Sequence, residues 1–214
     1  MDNSGVLYGV TTGGGPSNFG TVFSLTPPTI SGGAWTENVL YFFTAAIDGS
    51  TPTASLILDR HGKLYGPTQL GGKFISSICR SGCGTVFALT PPATAGGSWT
   101  EHVLYKFLGG TADGADPAGA LVADKNGAFY GTTVYGGIGA TAAGGGAGTV
   151  FKLTPAGGGQ WTEGVLHYFT GSPDGGFPAA ALLHNNHELF GTTVLGGGTN
   201  QYGLPAGTVF EVTP

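Results

Sequence analysis

The apolar positions of this chain fall in short runs that recur along its length. Gly, Pro, Asp and Asn punctuate them. Gly-Thr-Val-Phe stands at Gly20–Phe23, Gly84–Phe87, Gly148–Phe151 and Gly207–Phe210, at offsets of 64, 64 and 59 residues. Trp-Thr-Glu begins at Trp35, Trp99 and Trp161. A third element, Leu/Phe followed by Tyr/Phe and Gly, stands at Leu7–Gly9, Leu64–Gly66, Phe129–Gly131 and Leu189–Gly191. Self-similarity at a near-constant period is the signature of a repeat architecture.

Each repeat reads as four short strands, A to D. Strand A is the small apolar segment Ala54–Leu58, Gly119–Ala123 or Ala179–Leu183. A tight turn follows at Asp59–Gly62, Asp124–Gly127 and His184–His187. In the first two of these Gly can supply the positive φ a hairpin turn needs. Strand B is Leu-Tyr-Gly-x-Thr, and a Gly-rich loop of variable length leads to strand C, Gly-Thr-Val-Phe-x-Leu-Thr-Pro. Proline ends it by removing a ladder donor. Strand D is Trp-Thr-Glu-x-Val-Leu-Tyr-x-Phe, rich in β-branched and aromatic residues. Four-stranded units repeated around a ring make a β-propeller, and a unit of about 60 residues is too long for one solenoid coil. The predicted fold is therefore an all-β propeller domain over residues 1–214, with repeats at about 1–58, 59–123, 124–183 and 184–214.

The strand order predicted is B-C-D, A-B-C-D, A-B-C-D, A-B-C, which makes 14 strands, or three and a half blades. No signal peptide precedes the first repeat, so the chain reads as a piece of a longer array or a short frame within one. Open sheet edges invite pairing. A symmetric ring dimer needs an even number of blades. Self-association into an eight-bladed ring is the preferred expectation, and a four-bladed monomer is the rival.

Composition narrows the classes. Gly (43) and Pro (13) make up about a quarter of 214 residues, which is near the disorder range. Yet only 9% of residues are charged, 40% are hydrophobic, and 24 are aromatic. Such a chain can bury a core. A long-helix protein is excluded by the glycine content. No apolar run nears the roughly 20 residues a membrane span needs. The net charge is −5 with seven scattered basic residues, so neither nucleic acid nor a membrane surface is an expected partner.

Candidate chemistry gathers on the loops. In this strand order the D–A and B–C loops share one face. Asp48, Asp113 (with Asp116) and Asp174 lie on D–A loops, where converging carboxylates could hold a hard cation such as calcium. Asp-Gly is equally an ordinary turn. Phe19, Phe74, Tyr135 and Tyr202 are each unique to their loop and are the candidate ligand-binding aromatics. Cys79 and Cys83 either close a local disulfide, which fits an oxidising compartment, or sit reduced. His184 and His187, three apart in the last A–B turn, suit a transition metal or are surface variation. His167 takes the place of Tyr41 and Tyr105 and is expected to pack as an aromatic. Trp35, Trp99 and Trp161, with Glu37, Glu101 and Glu163, recur in strand D and so read as structural. No Gly-x-Ser-x-Gly elbow is present.

The combination Leu-Tyr-Gly-Thr-Thr, Gly-Thr-Val-Phe-x-Leu-Thr-Pro and Trp-Thr-Glu-x-Val-Leu-Tyr resembles the GloVer (Gloeo–Verruco) tandem repeat. The first two strands are similar to those of NHL-type blades. The resemblance covers essentially the whole chain. It implies a propeller fold and a bacterial surface or secreted parent protein, and it brings no catalytic residues. The expected function is a non-catalytic binding or scaffold module for a glycan or protein. The alternative resembles propeller lactonases and arylesterases: a calcium-dependent hydrolase of esters, lactones or phosphotriesters, centred on the three aspartates.

Overall fold

The computed structural model describes residues 1–72, 79–94, 96–138, 140–141, 144–199, 203 and 206–214. Among these residues every regular element is a strand. Four antiparallel sheets follow one another along the chain. Sheet 1 contains β1 (Leu7–Thr11), β2 (Thr21–Thr26) and β3 (Thr36–Phe42). Sheet 2 contains β4 (Ile57–Leu58), β5 (Leu64–Thr68), β6 (Thr85–Thr90) and β7 (Thr100–Lys106). The short β8 (Gly114–Ala115) lies in the loop that follows. Sheet 3 contains β9 (Val122–Ala123), β10 (Phe129–Thr133), β14 (Thr149–Gly157) and β15 (Gln160–Tyr168), with β11 (Tyr135–Gly136), β12 (Ala140–Thr141) and β13 (Gly144–Gly145) in its long B–C loop. Sheet 4 contains β16 (Leu183–Asn185), β17 (Glu188–Thr192) and β18 (Val209–Val212). The sheets thus hold three, four, four and three strands in the predicted order.

A glycine–phenylalanine cross-strand pair organises each sheet. Gly9, Gly66, Gly131 and Gly191 stand opposite Phe23, Phe87, Phe151 and Phe210. A Cβ at Gly131 would lie 2.6 Å from Phe151 Cζ, so the ring occupies the room that a side chain would need. The outer strand of each of the first three sheets bulges at one place, opposite Val22/Phe23, Val86/Phe87 and Val150/Phe151. The extra residues, Leu40, Leu104 and Leu166, pack against the cores.

The cores lie between consecutive sheets, not within one. The phenylalanine after strand D of each sheet meets the Gly-Thr-Val-Phe ring of the next edge-on. Phe43–Phe87, Phe107–Phe151 and Phe169–Phe210 have centroids 5.1, 5.1 and 5.0 Å apart. Such pairs contribute about 0.5–1.5 kcal/mol beyond area burial. Loops extend the joint on one face. Ser50 pairs with Leu70, β8 with β11, and Gly176 with Leu195, so each D–A loop bonds to the next sheet's B–C loop.

Strand A is shorter than predicted. Ladder pairing begins only at Ile57, Val122 and Leu183, not at Ala54, Gly119 and Ala179. The physical reason is that Leu56, Leu121 and Leu182 pack over Gly66, Gly131 and Gly191, while the segment's backbone runs from sheet to sheet. Thr132 Oγ1, for example, donates to the Ala180 carbonyl at 3.2 Å.

Candidate functional site

The three loop aspartates bond within their own loops. Asp48 accepts from Tyr41 Oη (3.0 Å), Thr44 N (2.8 Å) and Thr44 Oγ1 (2.8 Å). Asp113 accepts from Tyr105 Oη (3.1 Å) and the amides of Leu108 and Gly114 (both 2.6 Å). Asp174 sits against His167 Nε2 (3.1 Å) and accepts from Thr170 N (2.9 Å). Each carboxylate clasps the end of strand D to the loop that follows. His167 fills the tyrosine's role in both respects, since it also packs on Phe169 at 4.7 Å as Tyr41 and Tyr105 pack on Phe43 and Phe107. Burial, together with the neighbouring Asp, raises the phenol pKa of Tyr41 and Tyr105. The structure does not gather the three aspartates. Among the described residues no three His, Cys, Asp or Glu side chains are grouped to hold a metal ion.

The loop aromatics fare differently. Phe19 and Tyr135 are 38% and 41% exposed. Phe19 lines a cavity of about 360 Å³ and Tyr135 one of about 290 Å³, and both cavities share Leu70, Ser81 and Gly82. The two aromatics therefore line neighbouring cavities of the loop face, and the Cys79–Cys83 disulfide lines the Tyr135 one. Tyr135 is braced edge-on by Phe177 at 5.7 Å. Arg80 and Asp116 line the Tyr135 cavity. Asp116 Oδ1 is buried and has no hydrogen-bond partner. Burial pushes its carboxyl up to about 6, partly offset by Gln69. Phe74 and Tyr202 lie outside the described residues. Sequence reasoning named Asp116 only beside Asp113 and missed Arg80 as a cavity residue. Asp116 shares its register with Thr51 and Phe177, each before a proline and at positive φ, so the repeat marks the position but not the carboxylate, and Arg80 stands in a variable B–C loop.

The A–B turns occupy the opposite face. Asp2, Asp59 and Asp124 each accept two backbone amides and the hydroxyl of Tyr8, Tyr65 or Tyr130, which lies six residues on. Burial and Asp59 together push the Tyr65 phenol up to about 12. In the fourth repeat His184 replaces the aspartate and Phe190 replaces the tyrosine, so donor and acceptor are lost together. The turn changes with them. Asn185 pairs with Glu188, and Asn186 and His187 form a two-residue hairpin loop at φ 48° and 73°. Gly5, Gly62 and Gly127 hold the position of His187 in the other turns, at φ 87°, 80° and 84°.

Strand D carries a second set of carboxyls. Glu37 is exposed, whereas one oxygen of Glu101 and one of Glu163 is buried without a partner. Burial pushes both carboxyls up to about 7, reinforced by Asp48 beside Glu101 and Asp113 beside Glu163. Two of the three tryptophans pack between sheets: Trp99 meets Tyr8 edge-on at 6.5 Å and Trp161 stacks on Phe129 at 5.2 Å, whereas Trp35 is 48% exposed.

Consecutive three- and four-stranded antiparallel sheets with motif-borne joints define a tandem-repeat β protein. The profile of the Gloeobacter/Verrucomicrobia repeat matches residues 1–140, and the chain belongs to that family. No curated protein matches the sequence.

Proposed function

We propose that this chain is a non-catalytic binding module of a bacterial surface or secreted protein, with its four sheets as consecutive propeller blades. The two neighbouring cavities together form a loop-face groove that takes an extended glycan. One observation carries the reading: Phe19 and Tyr135, unique in their repeats, line cavities that share Leu70, Ser81 and Gly82. Exposed aromatic faces stack on sugar rings, and the unpartnered Asp116 oxygen supplies an acceptor for a hydroxyl. The local disulfide suits an oxidising compartment.

A glycan-array screen followed by calorimetry tests this. The expected result is a hit whose affinity falls at least about tenfold in Phe19→Ala and in Tyr135→Ala, with the melting temperature unchanged, given the usual weight of aromatic anchors. Affinity should also weaken as pH falls through about 6, as the Asp116 carboxylate takes up its proton. No glycan hit, with a protein captured through the same two aromatics, would replace the glycan by a peptide ligand. Mass in solution distinguishes an eight-bladed ring dimer from a four-bladed monomer.

A further inference from the structure

On the face opposite the groove, a cleft of about 400 Å³ opens between the A–B turns of sheets 3 and 4. Its lining includes Lys125, Asn126, Lys152, His184, Asn186 and His187, together with Asp124, Tyr130 and Thr213. His184 and His187 are departures from the repeat. Lys152 stands opposite Tyr130 in the ladder, at a position that varies between sheets: Ser24, Ala88 and Glu211 hold it opposite Tyr8, Tyr65 and Phe190. His184 replaces the turn aspartate, and His187 replaces the turn glycine. His187 does so at φ 73°, a backbone region that disfavours side chains. Strain accepted at one turn of four points to a role other than making the turn.

The charged groups of the cleft also differ from those of its counterpart. The corresponding groove between the turns of sheets 1 and 2 is lined by Met1, Asp2, Asp59 and Arg60 and holds no lysine. Here two lysines share the lining with one aspartate, Asp124, whose oxygens accept from Asn126 N, Ala128 N and Tyr130 Oη. Against the opposing effect of burial, these bonds and the Lys152 charge hold its carboxyl below the ordinary carboxylate range. Among the described residues neither lysine lies within ion-pair distance of a carboxylate. Lys152 is held 5.2 Å over the Tyr130 ring, which also packs against His184 in a tilted pair at 5.6 Å. Glu188 is engaged with the Thr213 hydroxyl at 2.8 Å.

We propose that this cleft binds a small hydroxylated oxyanion, a sugar acid or a sugar phosphate. The lysine ammonium groups meet the anionic group, and the amides of Asn126 and Asn186 with the two imidazoles meet its hydroxyls. The volume fits one monosaccharide ring with its substituent. The site is independent of the loop-face groove.

Calorimetric titration with glucuronate, glucose 6-phosphate and neutral glucose tests it. One or both anions should bind, glucose should bind at least about tenfold more weakly, and raised salt should weaken the anions. Either anion alone supports the site and identifies the group it prefers. Lys152→Met, and the exposed Lys125→Met should the first not fold, should lower affinity about tenfold. His187→Gly should lower affinity while raising the melting temperature, a pairing that a purely structural turn would not give. Absence of binding by both anions, equal binding of glucose, or affinities untouched by these substitutions would overturn the proposal.

Discussion

The turns of sheets 3 and 4 face each other across one cleft and solve the same local problem in different ways. In the turn of sheet 3, Asp124 ties two amides and the buried Tyr130 hydroxyl into one knot, and Gly127 takes the left-handed backbone without strain. In the turn of sheet 4, a two-residue hairpin closes through Asn186 and His187, and no aspartate–tyrosine tie exists. The first is a turn made for stability. The second gives up a carboxylate and a glycine for two imidazoles. Residues that depart from the repeat therefore carry more functional information than those that obey it.

The largest contrast should appear on deleting the tie. Asp124→Ala removes three hydrogen bonds and leaves the Tyr130 hydroxyl, in a residue only 2% exposed, without its acceptor. Urea unfolding should show a loss of about 2–3 kcal/mol. His184→Ala at the matching position should change stability by no more than about 0.5 kcal/mol. Equal losses at the two positions would erase the distinction.

A second contrast sets one repeated residue in two environments. Glu101 and Glu163 have folded-state pKa values raised to about 7 from an ordinary 4.5. A raised carboxyl pKa favours the protonated folded form. Its stabilisation is complete below pH 4.5 and is lost as pH rises through about 7. Thermal melts should therefore show stability declining across that window. Glu101→Gln should flatten the decline and raise the melting temperature by a few degrees at pH 8. Glu37→Gln, at an exposed position, should leave the profile unchanged.

Smaller effects probe the fourth turn itself. His187→Gly relieves a left-handed side chain and should stabilise by about 1 kcal/mol, read from denaturant midpoints. Rebuilding the tie with His184→Asp and Phe190→Tyr should give a favourable coupling of about 0.5 kcal/mol in a double-mutant cycle. A coupling of zero would mean that the hairpin geometry of this turn keeps the two side chains apart.

Much of the fold was legible because its cues are local. Gly-Thr-Val-Phe, Leu-Tyr-Gly and Trp-Thr-Glu each mark one strand, and the count of three, four, four and three follows from their order. Strand A was overextended because a small apolar segment reads alike whether it ladders or crosses between sheets. For Cys79 and Cys83 the sequence left a local disulfide and two free thiols both open, and the structure bonds them across a four-residue separation. The loop aspartates misled for a specific reason. Asp-Gly on a shared face suggests convergence, whereas Tyr41, Tyr105 and His167, seven or eight residues earlier, already claim the carboxylates.

The amino-acid sequence by itself determined the strand order, the turn positions and the spacing of the inter-sheet phenylalanines. These depend on side-chain alternation, on glycine where φ must be positive, and on proline where the ladder must stop. Only the tertiary structure decided which side chains share a space. Phe19 and Tyr135 lie 116 residues apart and line neighbouring cavities because each D–A loop bonds to the next B–C loop. Lys152 and His184 face one cleft because successive sheets stack their turns side by side. Such neighbours are set by packing between repeats, and no periodicity within a repeat encodes it.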